Sequence, residues 1–278
     1  MDIDPSSREE QALTQRVQRL LDQRRLNLPL LPRAVTEVLA LAGANDTDLR
    51  RLSGLVETDQ SLAAHVLRAA NSSAYAAAGP VTSLRQAMAR LGMRAVARIA
   101  LAAALGPRLF VAPGFEPLVR SLWRDSLTTA LWARELVLRG GGDAELSFLC
   151  GLLHQIGRPV ILHEALAAQR AGLVFDEALL LRLMDRFATP VGLELATHWQ
   201  LPDPVIATIA ALGELEFHSG YDDVVAGVRA ARSLTERARA RDELLADDLA
   251  AFAPDADAAR QMLANQHQIR ALIDALAA

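Results

Sequence analysis

Residues 148–164, FLCGLLHQIGRPVILHE, hold the side chains whose types could do chemistry. His154 and His163 carry imidazoles, which are common metal ligands, and Gln155 follows His154. A divalent metal needs several converging imidazoles or carboxylates, and a neutral amide is a poor ligand. His163 lies about 2.5 helical turns after His154, so on one helix the two rings would point in opposite directions. Spacing alone therefore predicts a packed His154 and no metal site.

Other catalytic arrangements are also poorly supported by the sequence. His198 and His218 are separated by two prolines, and no histidine pair has the HExxH spacing. A nucleophilic triad would need Ser126 or Ser147 beside His154, but the GxSxG elbow is missing. The GGGD segment lacks the Lys-Ser/Thr of a phosphate-binding loop. The single cysteine, Cys150, lies in an apolar run and is predicted to be a core residue.

Three arginines, Arg90, Arg94 and Arg98, follow one another at four-residue spacing. On a single helix they would form one stripe on the side opposite the apolar residues. We favour a solvated helix face as the interpretation of this stripe. The alternative is a surface that binds an anion or docks a partner.

Composition and charge exclude several classes of protein. The formal net charge is −4, which gives no electrostatic support for a nucleic-acid partner. The polar N-terminus, MDIDPSSREEQ, does not resemble a signal peptide. The apolar runs are interrupted well before the roughly 20 residues of a membrane span. We therefore expect a cytoplasmic protein without a membrane or nucleic-acid partner.

The elements that must position these side chains are predicted to be helices throughout, giving an all-α fold. Ala and Leu dominate the apolar 51% of the chain, and no strand-like alternation is present. Asp59 begins one predicted helix, and Ser83 with Gln86 forms a capping box for another that continues past Ala102. The apolar stripes of these helices predict that five residues are buried: Leu62, Val66, Leu91, Ile99 and Leu152.

Glycine and proline punctuation predicts four segments. The stretch GPRLFVAPGFEP, residues 106–117, separates long helices and indicates a subdomain boundary. We therefore divide the chain into an N-terminal helix (1–26), a helical bundle (27–110), a second helical subdomain (111–215) and a helical extension (216–278). In the extension, an apolar seam should pack on the second subdomain of the same chain, as a monomer, with a homodimer as the alternative. The seam residues are Met262, Ile269, Ile273 and Leu276.

Three segments carry a resemblance to a known family. They are SLAAHVLRAANSSAY (61–75), GPVTSLRQAMARLGMRAVARIAL (79–101) and FLCGLLHQIGRPVIL (148–162), with a weaker match in WQLPDPVIATI (199–209). Together these segments resemble the HDOD family, an all-helical signalling domain related to the HD phosphohydrolases. The resemblance covers about residues 25–215 and implies that the second subdomain is HD-like.

The resemblance also implies where a vestigial HD pocket should lie. The metal-binding His-Asp pair of the HD enzymes corresponds to His154 and Gln155, so its carboxylate is replaced by an amide. An earlier family histidine falls at Asp125 and a later one near Thr189, while Arg158 lies close to the pair in sequence. Without a metal there is no activated water for phosphodiester hydrolysis. We therefore expect no catalytic residues, no metal and no other cofactor.

Three functions remain open at this stage. HDOD resemblance implies a non-catalytic bacterial regulatory protein that contacts signalling proteins in trans, such as cyclic-dinucleotide enzymes or kinases. A second class is a nucleotide or cyclic-dinucleotide sensor, in which Arg158 or the 90/94/98 stripe holds a phosphate. A third is a residual metal-dependent phosphohydrolase. We favour the first.

Overall fold

The computed structural model describes residues 5–26, 35–36, 53–75, 79–213, 220–241, 244–253 and 255–277. Within these ranges the regular structure is helical and no strand is present, so the predicted all-α fold is confirmed. None of the described helices is both long and apolar enough to cross a bilayer. A short helical segment occupies residues 53–58. The other helices are α1 (Pro5–Asp22), α2 (Gln60–Asn71), α3 (Leu84–Leu91), α4 (Met93–Leu109), α5 (Glu116–Arg139), α6 (Ala144–Leu153), α7 (Gly157–Arg170), α8 (Glu177–His198), α9 (Asp203–Leu212), α10 (Asp222–Arg241), α11 (Ala246–Ala250) and α12 (Ala256–Ala277).

Helices α2, α3 and α4 pack together in the N-terminal half. The Asp59 carboxylate caps α2 by accepting hydrogen bonds from the backbone N–H groups of Ser61 and Leu62. At the other end of α2, the Asn71 side chain bonds both the N–H and the C=O of Val81, at 2.7 and 2.9 Å. This pair of hydrogen bonds holds the loop after α2 against the end of the helix, which accounts for the asparagine in the AANSS segment.

The single helix predicted from Ser83 past Ala102 is instead two helices. Gly92 has a φ of +75°, which a residue with a side chain rarely adopts, and it ends α3 and precedes α4. Leu91 is the last residue of α3 and is only partly buried, whereas Ala87 is the buried residue of this helix, so the prediction of a buried Leu91 is wrong. The other four predicted core residues, Leu62, Val66, Ile99 and Leu152, are buried.

Helix α5 is the centre of the C-terminal half, with α6, α10 and α12 packed against it. Two glycines allow helices here to approach closely. A Cβ on Gly151 would lie 2.7 Å from the Ala130 Cα, and a Cβ on Gly157 would lie 2.0 Å from the Ala188 carbonyl oxygen. Gly151 and Gly157, on either side of His154 and Gln155, therefore allow α6 to pack closely on α5 and α7 to pack closely on α8.

The C-terminal extension packs on the rest of the chain. Helix α12 contacts α5 and also α2 and α4, so it touches both halves rather than the second alone. Met262, Ile273 and Leu276 of the predicted seam are buried, and Ile269 is partly buried. Packing of the seam within the chain is thus confirmed, whereas the oligomeric state and the subdomain boundaries stay predictions.

Candidate functional site

The five residues assigned to the vestigial HD pocket lie around one cavity. This cavity, here called the central cavity, has a volume of 1030 Å³ and is bounded by α5, α7, α8, α9 and α10. Helix α5 supplies Asp125, the turn after α6 supplies His154 and Gln155, α7 supplies Arg158 and α8 supplies Thr189. Residues far apart in sequence are therefore brought together by the packing of α5 against its neighbours.

Gln155 is held by two hydrogen bonds that its amide NH₂ group donates. Its Nε2 donates to the Leu122 carbonyl oxygen and to the Ser126 hydroxyl oxygen, both at 3.1 Å. Ser126 is fully buried, whereas Gln155 is partly buried and lines the cavity. A carboxylate in the same position could not donate to the Leu122 oxygen, and the two oxygens would repel each other. Gln155 is therefore a structural partner of α5.

His154 presents a neutral imidazole to this environment. Its Nδ1 lies 2.7 Å from the Gly151 carbonyl oxygen, which can only accept, so Nδ1 carries the hydrogen and Nε2 is an acceptor. Burial lowers the pKa of His154 from 6.5 to about 4, and the nearby arginines Arg232 and Arg158 lower it further while the bond to Gly151 opposes the shift. The ring is therefore uncharged at neutral pH.

Asp125 forms an ion pair with Arg239 of α10, at 2.8 Å. Burial raises the pKa of Asp125 above its ordinary value, and the charges of Arg239, Arg158 and Arg124 oppose that rise. A contact of 2.8 Å to a guanidinium is the geometry of an ionised carboxylate. Asp125 is thus ion-paired with an arginine side chain of the same chain.

The other described carboxylates that line the central cavity are paired in the same way. Asp185 lies 2.7 Å from Arg158, and Glu236 lies 3.1 Å from Arg232. Among the described residues, no group of three His, Cys, Asp or Glu side chains could hold a metal ion. The central cavity is therefore a set of Asp/Glu–Arg pairs beside a single neutral histidine.

Thr189 and Gly213 pack against each other at one side of the central cavity. A Cβ on Gly213 would lie 2.4 Å from both the Oγ1 and the Cγ2 of Thr189. Gly213 directly follows α9. The space is occupied by the Thr189 side chain, so this wall of the cavity is closed by packing.

The remaining candidate catalytic residues lie outside the central cavity, are hydrogen-bonded to backbone oxygens, or are buried in the core. His163 bonds the Val111 carbonyl oxygen at 2.9 Å and does not line the central cavity, and His218 lies outside the described residues. The Ser147 hydroxyl donates to the Asp143 carbonyl oxygen at 2.8 Å. Cys150 is fully buried, and burial raises the pKa of its thiol to about 12, so its predicted place in the core is confirmed.

The arginine stripe expected on one helix does not form. Arg90, on α3, donates to the backbone oxygens of Ala70 and Gly79, at 3.3 and 2.8 Å. Arg98, on α4, donates to Glu145 at 2.5 Å, which ties α4 to α6. Only Arg94 of the three is exposed. The break at Gly92 separates Arg90 from the others, and this arrangement does not support a shared anion- or partner-binding surface.

Sequence reasoning missed the arginines that pair with the cavity carboxylates. Arg232 and Arg239 lie on α10, beyond the segments that resemble the HDOD family, and Arg239 is 114 residues from Asp125. Nothing in the local pattern of α10 indicates which of its arginines face inward. Only the Arg232–Glu236 pair, at four-residue spacing, could have been anticipated, as an ordinary intrahelical pair.

Comparison with known proteins agrees with this architecture. A 192-residue stretch is 26% identical to an uncharacterized protein of Treponema pallidum (strain Nichols); it covers 66% of this chain and 37% of that protein, so this chain spans little more than a third of that relative. An HDOD domain protein of unknown function from Geobacter sulfurreducens has a TM-score of 0.70 at 24% identity, over 95% of this chain and 97% of its own.

A provisionally assigned metal-dependent phosphohydrolase from Shewanella amazonensis SB2B has a TM-score of 0.72 at 22% identity, over 96% of this chain and 99% of its own. Identities this low establish a shared fold and leave activity open. The HDOD domain family itself matches residues 28–214, which is the greater part of the sequence. The chain therefore belongs to the HDOD domain family.

Proposed function

We propose that this chain is a non-catalytic regulatory protein that acts through contacts with other signalling proteins. The observation that carries the proposal is the chemistry of the central cavity. Gln155 occupies the position of the HD aspartate, and its amide is committed to Leu122 and Ser126. The three described carboxylates of the cavity are each paired with an arginine.

Hydrolysis of a phosphodiester by this fold would require a metal that lowers the pKa of a bound water. His154 offers one imidazole nitrogen, and Asp125 would have to give up its pair with Arg239. Breaking such pairs leaves arginines facing the cation, which opposes metal binding. The same residues instead stabilise the packing of α5, α7, α8 and α10 without a ligand.

A protein without this chemistry can still regulate by presenting a surface. We propose that the partners are signalling proteins met in trans, such as enzymes of cyclic-dinucleotide turnover or kinases, as HDOD membership suggests. The net charge of −4 disfavours nucleic acid as the partner.

The catalytic part of the proposal is tested with metal-loaded protein. Purified chain is incubated with Mn²⁺, Fe²⁺ or Ni²⁺, its metal content is measured, and hydrolysis of bis(4-nitrophenyl) phosphate is followed. We expect substoichiometric metal and no turnover above the metal-only blank. Gln155→Asp should behave the same way, because one added carboxylate does not assemble a ligand set. Near-stoichiometric metal with turnover that is lost in His154→Ala would overturn the proposal.

The regulatory part is tested by crosslinking the chain to its neighbours in the native host. The captured proteins are identified, purified and assayed with and without the chain. We expect at least one captured signalling enzyme whose rate changes when the chain is added. Captured proteins that bind the chain but show unchanged activity would contradict regulation by contact.

A further inference from the structure

Helix α1 lies before the 28–214 match to the HDOD domain, yet it packs on the C-terminal half of the chain. Its main contacts are with α7 and α8, so it occupies the groove between these two helices, here called the α7–α8 groove. Among the side chains described in α1, Leu13 and Val17 are buried, and Leu20 and Leu21 are partly buried. Residues three and four apart share one face of a helix, so α1 is an amphipathic helix whose apolar face covers the groove.

Two ion pairs set the orientation of α1. Glu10 lies 2.8 Å from Arg182 of α8, and both of these side chains are exposed to solvent. Arg16 lies 3.5 Å from Glu164 of α7, whose side chain is 6% exposed. At 3.6 residues per turn, the buried leucine and valine of α1 lie between Glu10 and Arg16 around the helix axis. The ion pairs therefore flank the apolar face and turn it toward α7 and α8.

The contact of Arg16 with the groove is incomplete. A hydrogen bond between a guanidinium and a carboxylate is usually about 2.7–2.9 Å long, so the 3.5 Å separation from Glu164 is a weak contact. The Arg16 Nε is buried and has no hydrogen-bond partner in the part of the chain that the structure describes. A buried donor without a partner loses its hydration and gains nothing in return. The docked position of α1 therefore carries a cost that a better-placed cation would avoid.

Fewer buried side chains hold α1 than hold the other terminal helix. Of the side chains that are described in α1, two are buried, Leu13 and Val17. An isolated helix of this length is marginally stable in water, so tertiary contacts decide whether it stays docked. We therefore expect α1 to undock more readily than α12. The buried side chains of α12 are Ala259, Met262, Leu272, Ile273 and Leu276.

We propose that the α7–α8 groove is the docking site for an amphipathic helix of a partner protein, and that α1 is a displaceable cover of this groove. The partner helix carries two aliphatic side chains four residues apart and a basic residue beside them. The basic residue is required because a buried carboxylate such as Glu164 is costly without a cation. An amphipathic helix that lies in an apolar groove is a recurring mode of recognition. This inference rests on the proposed function and deepens it, because it names the surface that a signalling partner contacts.

The first test is native-state hydrogen exchange on the wild-type, full-length protein, read by mass spectrometry. We expect the slowest amides of α1 to exchange at least about tenfold faster than the slowest amides of α12, because α1 opens locally without global unfolding. Exchange of α1 that is no faster than that of α12 would overturn the proposal. A groove that opens only when the whole chain unfolds cannot receive a partner.

The second test uses a fluorescein-labelled peptide of residues 5–22 as the probe, with binding followed by anisotropy. The full-length variant Leu13→Ser/Val17→Ser loosens α1, so it should bind the peptide at least about tenfold more tightly than the wild type does. The matched control is Gln11→Ser/Gln15→Ser, two exposed positions with the same spacing, which should behave as the wild type. Circular dichroism checks that both variants are folded. No binding to the folded Leu13→Ser/Val17→Ser variant would overturn the proposal.

The charge requirement is tested with a second peptide that carries Arg16→Glu. It brings a carboxylate to the buried Glu164, so it should bind at least about tenfold more weakly than the native peptide. Equal binding of the two peptides would overturn the requirement for a basic residue. A wild type that light scattering shows to be a dimer formed by exchange of α1 would assign the groove to a second copy of the chain, and would equally overturn the proposal.

Failure of this proposal and failure of the proposed function give different results. If α1 does not open but a captured enzyme still responds to the chain, regulation by contact stands and the contact lies on another surface. If metal-loaded protein shows turnover, the non-catalytic function is lost, whereas the exchange of α1 and the binding of the peptide are unchanged.

Discussion

The central cavity and the C-terminal cleft, which α5, α10 and α12 bound, share α5 and the Asp125–Arg239 pair but differ in which part of the chain completes them. In the central cavity each described carboxylate is paired with an arginine of the same chain, at 2.7–3.1 Å. In the cleft, Arg124 and Arg239 are likewise paired, with Asp274 and Asp125, both at 2.8 Å. The cleft also needs α12, which lies beyond the match to the HDOD domain, whereas the central cavity does not. The five predictions below test this distinction, from the largest expected effect to the smallest.

Ending the chain at Asp255 removes α12 and one wall of the cleft, while the described walls of the central cavity are kept. We expect the free energy of unfolding to fall by at least about 5 kcal/mol, because Met262, Ile273 and Leu276 each contribute about 1.5–3 kcal/mol through burial. Chemical denaturation and light scattering will show an unstable or aggregating protein. A dimeric wild type that becomes a stable, soluble monomer would instead indicate that the seam joins two chains.

Replacing Gly157 by Ala should disrupt the central cavity while the cleft keeps its residues. The new Cβ would lie 2.0 Å from the Ala188 carbonyl oxygen, so α7 and α8 must move apart. We expect a loss of about 3 kcal/mol or more in the free energy of unfolding, measured by chemical denaturation. The control is Gly54→Ala, whose Cβ would have no neighbour within 4 Å and which should be neutral or slightly stabilising.

His154 should make the fold sensitive to acid. Its pKa is lowered from 6.5 to about 4 by burial, so the unfolded chain takes up the proton first as pH falls. The stability contributed by the neutral ring is present above pH 6.5 and is lost as pH falls from 6.5 to about 4, with a total of about 3 kcal/mol. Chemical denaturation between pH 4 and 7.5 gives the free energy of unfolding as a function of pH. Its slope against pH should be smaller for His154→Phe than for the wild type. An unchanged slope would contradict burial of the ring, and His267→Gln, at an exposed site, is the control.

Gln155→Glu tests whether the HD position requires an amide. The carboxylate would face the Leu122 carbonyl oxygen, so we expect a loss of about 1–3 kcal/mol at neutral pH. The pKa of the introduced carboxyl should be raised by burial, so protonation at lower pH should relieve part of this loss. Chemical denaturation at pH 5 and pH 8 measures the difference in the free energy of unfolding between the variant and the wild type. We expect this difference to be smaller at pH 5 than at pH 8. Equal stability at pH 8 would mean that the position tolerates a carboxylate.

The smallest effect is expected where the two cavities meet. Asp125→Asn removes the ion pair with Arg239, whose side chain is 60% exposed. We expect the free energy of unfolding to fall by no more than about 1 kcal/mol, which is the scale of an exposed ion pair. Chemical denaturation at neutral pH measures the change. A loss of several kcal/mol would mean that Asp125 and Arg239 hold the wall between the two cavities together.

Much of the fold could be predicted because it depends on local chemistry. The caps at Asp59 and Ser83, the buried stripe of α2 and the core position of Cys150 follow from side-chain type and spacing. The prediction that failed, a buried Leu91 on an unbroken helix, failed at Gly92. A glycine lowers helix propensity without ending every helix, so the break depended on how α3 and α4 pack.

The candidate site was predictable only through the resemblance to HD proteins. That resemblance grouped Asp125, His154, Gln155, Arg158 and Thr189, and the structure places all five around one cavity. It could not indicate the ion pairs of Asp125 and Asp185. Exposed arginines are frequent on helices, and the sequence spacing of an ion pair between helices has no preferred value.

The sequence by itself determined the helical class and the family, and it places an amide side chain, Gln155, next to His154. These properties are local, since they depend on composition, on short motifs and on the identity of one side chain. The tertiary structure decided which charges are compensated. The Asp125–Arg239 pair, the bonds from Gln155 to α5, and the cleft that α12 completes join residues tens to more than a hundred positions apart. Their distances follow from the packing of whole helices, which is set by the sum of many buried contacts and not by any segment of the sequence alone.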